Sequence, residues 1–110
     1  MSTPIKVAVI QAAPVLFDKQ ACLDKIEKYA QEVAEAGAHL VLFPEAFIPA
    51  YPRGLSFGTV VGSRQDWGRD HWLLYWENAV EMPGPDIDRL GNIARKNSLF
   101  LVTTIIINIG

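Results

Sequence analysis

Apolar residues recur along this chain in two rhythms. Residues 5–12, IKVAVIQA, are β-branched and almost wholly apolar, which predicts a strand buried on both faces, ended by Pro14. Asp18 then stands where a helix cap is needed. Cys22, Ile26, Tyr29, Ala30, Val33 and Ala34 follow at helical spacing, up to Gly37 as the C-terminal stop. Residues 38–43, AHLVLF, predict a second buried strand. Strand, helix and strand in this length form a βαβ unit with parallel strands.

Residues 48–68 are rich in glycine and proline and poor in periodic apolar positions, which predicts a long loop of the kind that is functional or disordered. Helical period returns over residues 69–80. Trp72, Leu73, Trp76, Ala79 and Val80 share one face there, and the set Trp72, Tyr75 and Trp76 reads as core rather than as a binding platform. The run MPGPD opens another helix, with Pro85 at its first position and Asp86 and Asp88 in its first turn. Its apolar face is Ile87, Leu90, Ile93 and Ala94, and Arg95, Lys96 and Asn97 suit its end. The final stretch, LFLVTTIIINIG, is strand-like, and residues 99–107 carry no charge and no proline. As an exposed edge it is an aggregation hazard, so its pairing partner is expected outside these residues.

Composition narrows the function classes. Half of the 110 residues are hydrophobic and a fifth are charged, as in an ordinary globular domain. The net charge is −2 and Lys and Arg are scattered, so the basic stripe of a nucleic-acid binder is absent. No apolar run reaches membrane-span length, and the amino-terminal apolar run, broken by Gln11 and Pro14, does not read as a signal peptide. One cysteine excludes an internal disulfide, and the expected setting is cytoplasmic. The first strand-to-helix turn, QAAPVLFD, holds no glycine, which excludes the dinucleotide fingerprint, and there is no phosphate loop and no G-x-S-x-G. His39 and His71 have no Cys or Asp at ligand spacing, so no metal is expected.

Glu45 is the residue with the most chemical promise. In open α/β sheets functional groups gather beyond the carboxyl ends of the strands, and Glu45 sits two residues past Phe43. Pro44 fixes one φ and extends its predecessor. Phe43 and Phe47 flank the carboxylate in sequence, and partial desolvation there favours proton transfer. Position alone leaves two readings level: a general base, or a solvated loop glutamate capping a short turn. Cys22 lies on the apolar stripe of the first helix and reads as an inert core thiol. Lys25, Lys28 and Lys96 read as solvated surface.

The stretch VLFPEAFIPAYPRG resembles the glutamate motif of the nitrilase branch of the carbon–nitrogen hydrolase superfamily. KVAVIQAAPVLFD, GLSFGTVVGSR, GRDHWLLYWENAV and PGPDIDRL resemble successive nitrilase segments in the same order. Two departures stand out: Ala50, where a glycine often precedes the Tyr-Pro, and TTIIINIG, which lacks the charged turn that commonly follows this strand. The resemblance implies an α/β fold, the first part of an αββα sandwich with a βαβ start, with residues 1–110 the amino-terminal portion of a single domain. It implies hydrolysis of a nitrile to a carboxylic acid and ammonia through a cysteine thioimidate. Glu45 would be the general base, and Tyr51 and Phe57 would bind substrate; a Tyr51 packed within its loop is the less favoured alternative. Arg53 reads as a loop anchor. The family's lysine and its cysteine, in a Cys-Trp-Glu context, have no matching positions here, so the 110 residues alone are expected to be inactive. No cofactor is implied, and the full-length form is expected to be a homo-oligomer whose contacts include GLSFGTVVGSR. The alternatives are an amidase, a cyanide or nitrile hydratase-type relative, and a truncated, non-catalytic interaction module.

Overall fold

The computed structural model describes residues 4–50 and 66–108. Its elements run β1 (Val7–Val9), α1 (Lys19–Glu35), β2 (Leu40–Leu42), α2 (Asp66–Glu77), β3 (Val80–Glu81), α3 (Pro85–Lys96), β4 (Phe100–Val102) and β5 (Ile107–Asn108). A three-stranded sheet has the order β1-β2-β4, and β3 pairs with β5. Every pairing is parallel. The βαβ start is therefore present, with shorter strands than the apolar runs that encode them.

Helix α1 begins where the sequence places it. The Asp18 side chain accepts from the Ala21 N–H at 3.0 Å, which satisfies one of the orphan donors of the first turn. At the other end Gly37, at φ +88°, donates to the Ala34 carbonyl while Ala38 donates to that of Val33, the paired bonds of a Schellman stop. Cys22, Leu23, Ile26 and Ala30 face inward and meet Val41, Phe43, Leu90, Ile93 and Leu99 in one core. Ion pairs add to the α1–α3 contact. Lys19 meets the largely buried Asp86 at 2.8 Å, and Arg89 reaches Asp24 at 2.6 Å and Glu27 at 3.2 Å. Gly84 begins α3 at a close approach, where a Cβ would lie 2.9 Å from the Glu81 carbonyl oxygen.

Four expectations are corrected. Among the described residues the strands are covered on one face only. Ala8, Val41 and Leu101, in register, face the helices, whereas Val7, Val9, Leu42, Phe100 and Val102 are exposed. Helix α2 ends at Glu77: Asn78 still donates to the Leu74 carbonyl in helical register, its side-chain N–H also caps that carbonyl, and Ala79 turns to the Trp76 carbonyl three residues back. Val80, expected on that helix, instead starts a strand. Trp72 and Trp76 are exposed rather than core, and Tyr75 packs edge-on to Phe17 with ring centroids 6.0 Å apart. Lastly, the apolar stretch 99–107 finds its partners within the chain. Its first part pairs with β2, Ile105 bridges to Ile48, and Ile107 pairs with Val80. Two threonines divide it into separate strands.

Candidate active site

The backbone beyond β2 turns sharply at Glu45. Phe43, Ala46, Phe47, Ile48, Pro49 and Ala50 are all buried, and Glu45 is the exposed residue among them. Ala46 follows it at φ +49°, in the left-handed region that a residue with a Cβ rarely occupies. Ala50 closes the segment at φ +86°, which gives a physical reason for a glycine there.

Hydrogen bonds hold this turn at successive points. The Phe43 N–H donates to the Val102 carbonyl at 2.9 Å. The Ala46 N–H donates to the Thr104 hydroxyl, and the Phe47 N–H to the Thr104 carbonyl at 3.1 Å. The Ile48 carbonyl accepts from Ile106 at 2.9 Å, and the Pro49 carbonyl from Phe17 at 3.1 Å. Much of the hold on this turn thus comes from the segment after β4.

A cleft of about 690 Å³ opens at the carboxyl ends of β1, β2 and β4. Its walls are mainly apolar, and Gln11, Glu45, Thr103 and Thr104 supply its polar side chains. This is the place where open α/β sheets bind ligands, and Glu45 stands on its wall as its sequence position implied. The expected apolar flanks do not enclose the carboxylate. Phe43 and Phe47 turn into the core and pack on each other with ring centroids 5.5 Å apart, so within the described residues Glu45 remains exposed.

Cys22 is fully buried and its thiol donates to the Val15 carbonyl at 3.1 Å. Burial, assisted by Asp18, pushes its pKa above the ordinary 9.0 against the opposing effects of the Val15 bond and Lys25. A thiol held neutral in a packed core is no nucleophile. Lys25 departs from its expected solvated role: its Nζ donates to the Ala13 carbonyl at 2.6 Å, bracing the loop that lines the cleft beside β1. His39 accepts the Lys6 N–H on Nδ1 at 3.0 Å, a structural bond between β1 and β2. Among the described residues no group of three or more His, Cys, Asp or Glu side chains gathers as a metal site, and no helix is long and apolar enough to cross a membrane. Tyr51, Arg53 and Phe57 lie outside the described residues. Sequence reasoning missed Gln11, Thr103 and Thr104. Two hydroxyls stand in that apolar run, but nothing in the run itself marks them as the end of a strand or as cleft residues.

A short parallel sheet, helices on one face, and a carboxylate held on a pinned turn beyond the strand ends define an α/β domain with an enzyme-type cleft. Residues 6–108 match the carbon-nitrogen hydrolase family. The chain is 48% identical over 101 residues to nitrilase 1 of Arabidopsis thaliana, covering 92% of this chain and 29% of that protein. It is 43% identical over 106 residues to a bifunctional nitrilase/nitrile hydratase of Nicotiana tabacum, covering 96% and 30%. The chain belongs to the carbon-nitrogen hydrolase family, and it spans about three-tenths of the length of the curated relatives it matches.

Proposed function

We propose that this chain is the amino-terminal portion of a single hydrolase domain that converts nitriles to carboxylic acids and ammonia, and that Glu45 is its general base. The observation that carries the reading is the placement of Glu45, an exposed carboxylate on a hydrogen-bonded turn at the wall of an apolar cleft. In this reaction a cysteine thiolate adds to the nitrile carbon and the nitrogen takes a proton, giving a thioimidate. Water adds, ammonia leaves, and a second water cleaves the resulting thioester to the acid. Each step needs a proton removed from a thiol or a water, which a positioned carboxylate provides. Cys22 is buried on α1 and is not that thiol, and the family's lysine has no matching position here, so the reading takes both from other parts of the intact protein. The reading places Tyr51 and Phe57 against the substrate and requires no cofactor; it carries with it a homo-oligomer on family resemblance alone, and the cytoplasmic setting expected from the lone cysteine.

The test uses the intact protein with aliphatic and aromatic nitriles. Ammonia and carboxylate should appear together, and Glu45→Gln should lower kcat by about 10²- to 10⁴-fold, the ordinary worth of a general base. A Glu45→Gln enzyme within a few-fold of the wild type would remove Glu45 from the mechanism. A second reading, hydration of the nitrile to the amide, is favoured by relatives named as bifunctional nitrilase/nitrile hydratases. Amide as the major product supports it. The 110 residues alone should release no ammonia.

A further inference from the structure

We propose that Thr104 is a positioning residue for Glu45, holding the base through the backbone of the turn that carries it. The inference rests on the reading of Glu45 as the general base. Two consecutive amides immediately after Glu45 both end on this one residue, Ala46 on its hydroxyl and Phe47 on its carbonyl. Ala46 is also where the backbone is strained, at φ +49°. A residue with a Cβ is strained in that conformation and keeps it only where its surroundings hold it. The bonds at Phe43, Phe47 and Ile48 join backbone to backbone and are indifferent to side-chain identity. Among the described residues the Thr104 hydroxyl is the side-chain anchor on the Glu45 turn.

Thr104 also lines the same cleft as Glu45, so it ties the end of β4 to the base across the site. Thr104 is exposed at the cleft whereas Ala46 is buried, so one amide loses its acceptor while the backbone bonds at Phe43, Phe47 and Ile48 remain. Loss of the hydroxyl should therefore cost orientation far more than stability. A base displaced by about 1 Å loses on the order of a hundredfold in rate.

The experiment measures kcat, KM and Tm of the intact protein on a nitrile it turns over, for the wild type, Thr104→Val, Thr104→Ser and Glu45→Gln. Thr104→Val keeps the shape and loses the acceptor. Its kcat should fall about tenfold to a hundredfold, with KM within about twofold and Tm nearly unchanged. Thr104→Ser should restore most of the rate. Thr104→Val at wild-type rate, or Thr104→Ser no better than Thr104→Val, overturns the proposal while an inactive Glu45→Gln leaves the general-base reading standing. An active Glu45→Gln overturns both.

Discussion

The thiol of Cys22 is kept neutral by its burial, and that has a consequence for stability. Its folded pKa lies above the ordinary value of 9.0, so the folded chain holds this proton more tightly than the unfolded chain does. The stabilisation is fully present below about pH 9 and is lost as pH rises through the raised folded value. Cys22→Ala in the intact protein should cost about 1 kcal/mol at neutral pH, from the lost packing. It should also flatten the alkaline decline in Tm relative to the wild type, and an equal decline in both would show that Cys22 does not titrate with unfolding. At this scale Cys22 and Glu45 are legible in sequence, the first from its place on a helical stripe and the second from its place past a strand. Thr104 is not, because its role depends on a contact with Ala46, 58 residues away, that no local pattern encodes.

Helix ends show how far local pattern reaches. Asp18, Gly37 and Pro85 mark their helix boundaries in the sequence itself, since each acts on backbone groups within a turn of itself. Strand ends depend on what the strand pairs with, so local pattern reveals neither the division of residues 99–107 at Thr103 and Thr104 nor the strand β3. Helix α3 stops in the same way as α1, with Ser98 in place of glycine: Ser98, at φ +53°, donates to the Arg95 carbonyl, and Leu99 donates to that of Ala94. The two stops predict opposite responses. Ser98→Gly relieves the left-handed strain at an exposed position and should stabilise the intact protein by about 0.5–1 kcal/mol. Gly37→Ala meets nothing closer than the Lys6 Nζ at 3.7 Å, so its cost of about 1 kcal/mol should come from backbone conformation alone. Urea midpoints at unchanged m-value check both, and a destabilising Ser98→Gly would mean that the serine makes a compensating contact.

The whole molecule carries an imbalance in its sheet. All-parallel sheets occur almost only with both faces covered, and the apolar runs of β1, β2 and β4 have the continuous composition of strands buried twice. Within the described residues one face is covered, and Val9 is 63% and Phe100 76% exposed on the other. The sequence therefore encodes a burial that these residues do not complete by themselves. A second sheet packed on this face is what the family's sandwich fold provides. Produced as 110 residues alone, the chain should keep helical circular dichroism, bind a hydrophobic dye such as ANS, and self-associate on size exclusion, because an exposed apolar patch of this kind marks a contact surface. Lysines at Val9 and Phe100 should suppress dye binding and association while leaving the helical signal intact. The same change at Val41, on the covered face, should abolish the helical signal, since it buries an unpaired charge in the core. A monomer that binds no dye would show that the face is closed by the chain itself, and would count against its role as a packing surface for a second sheet.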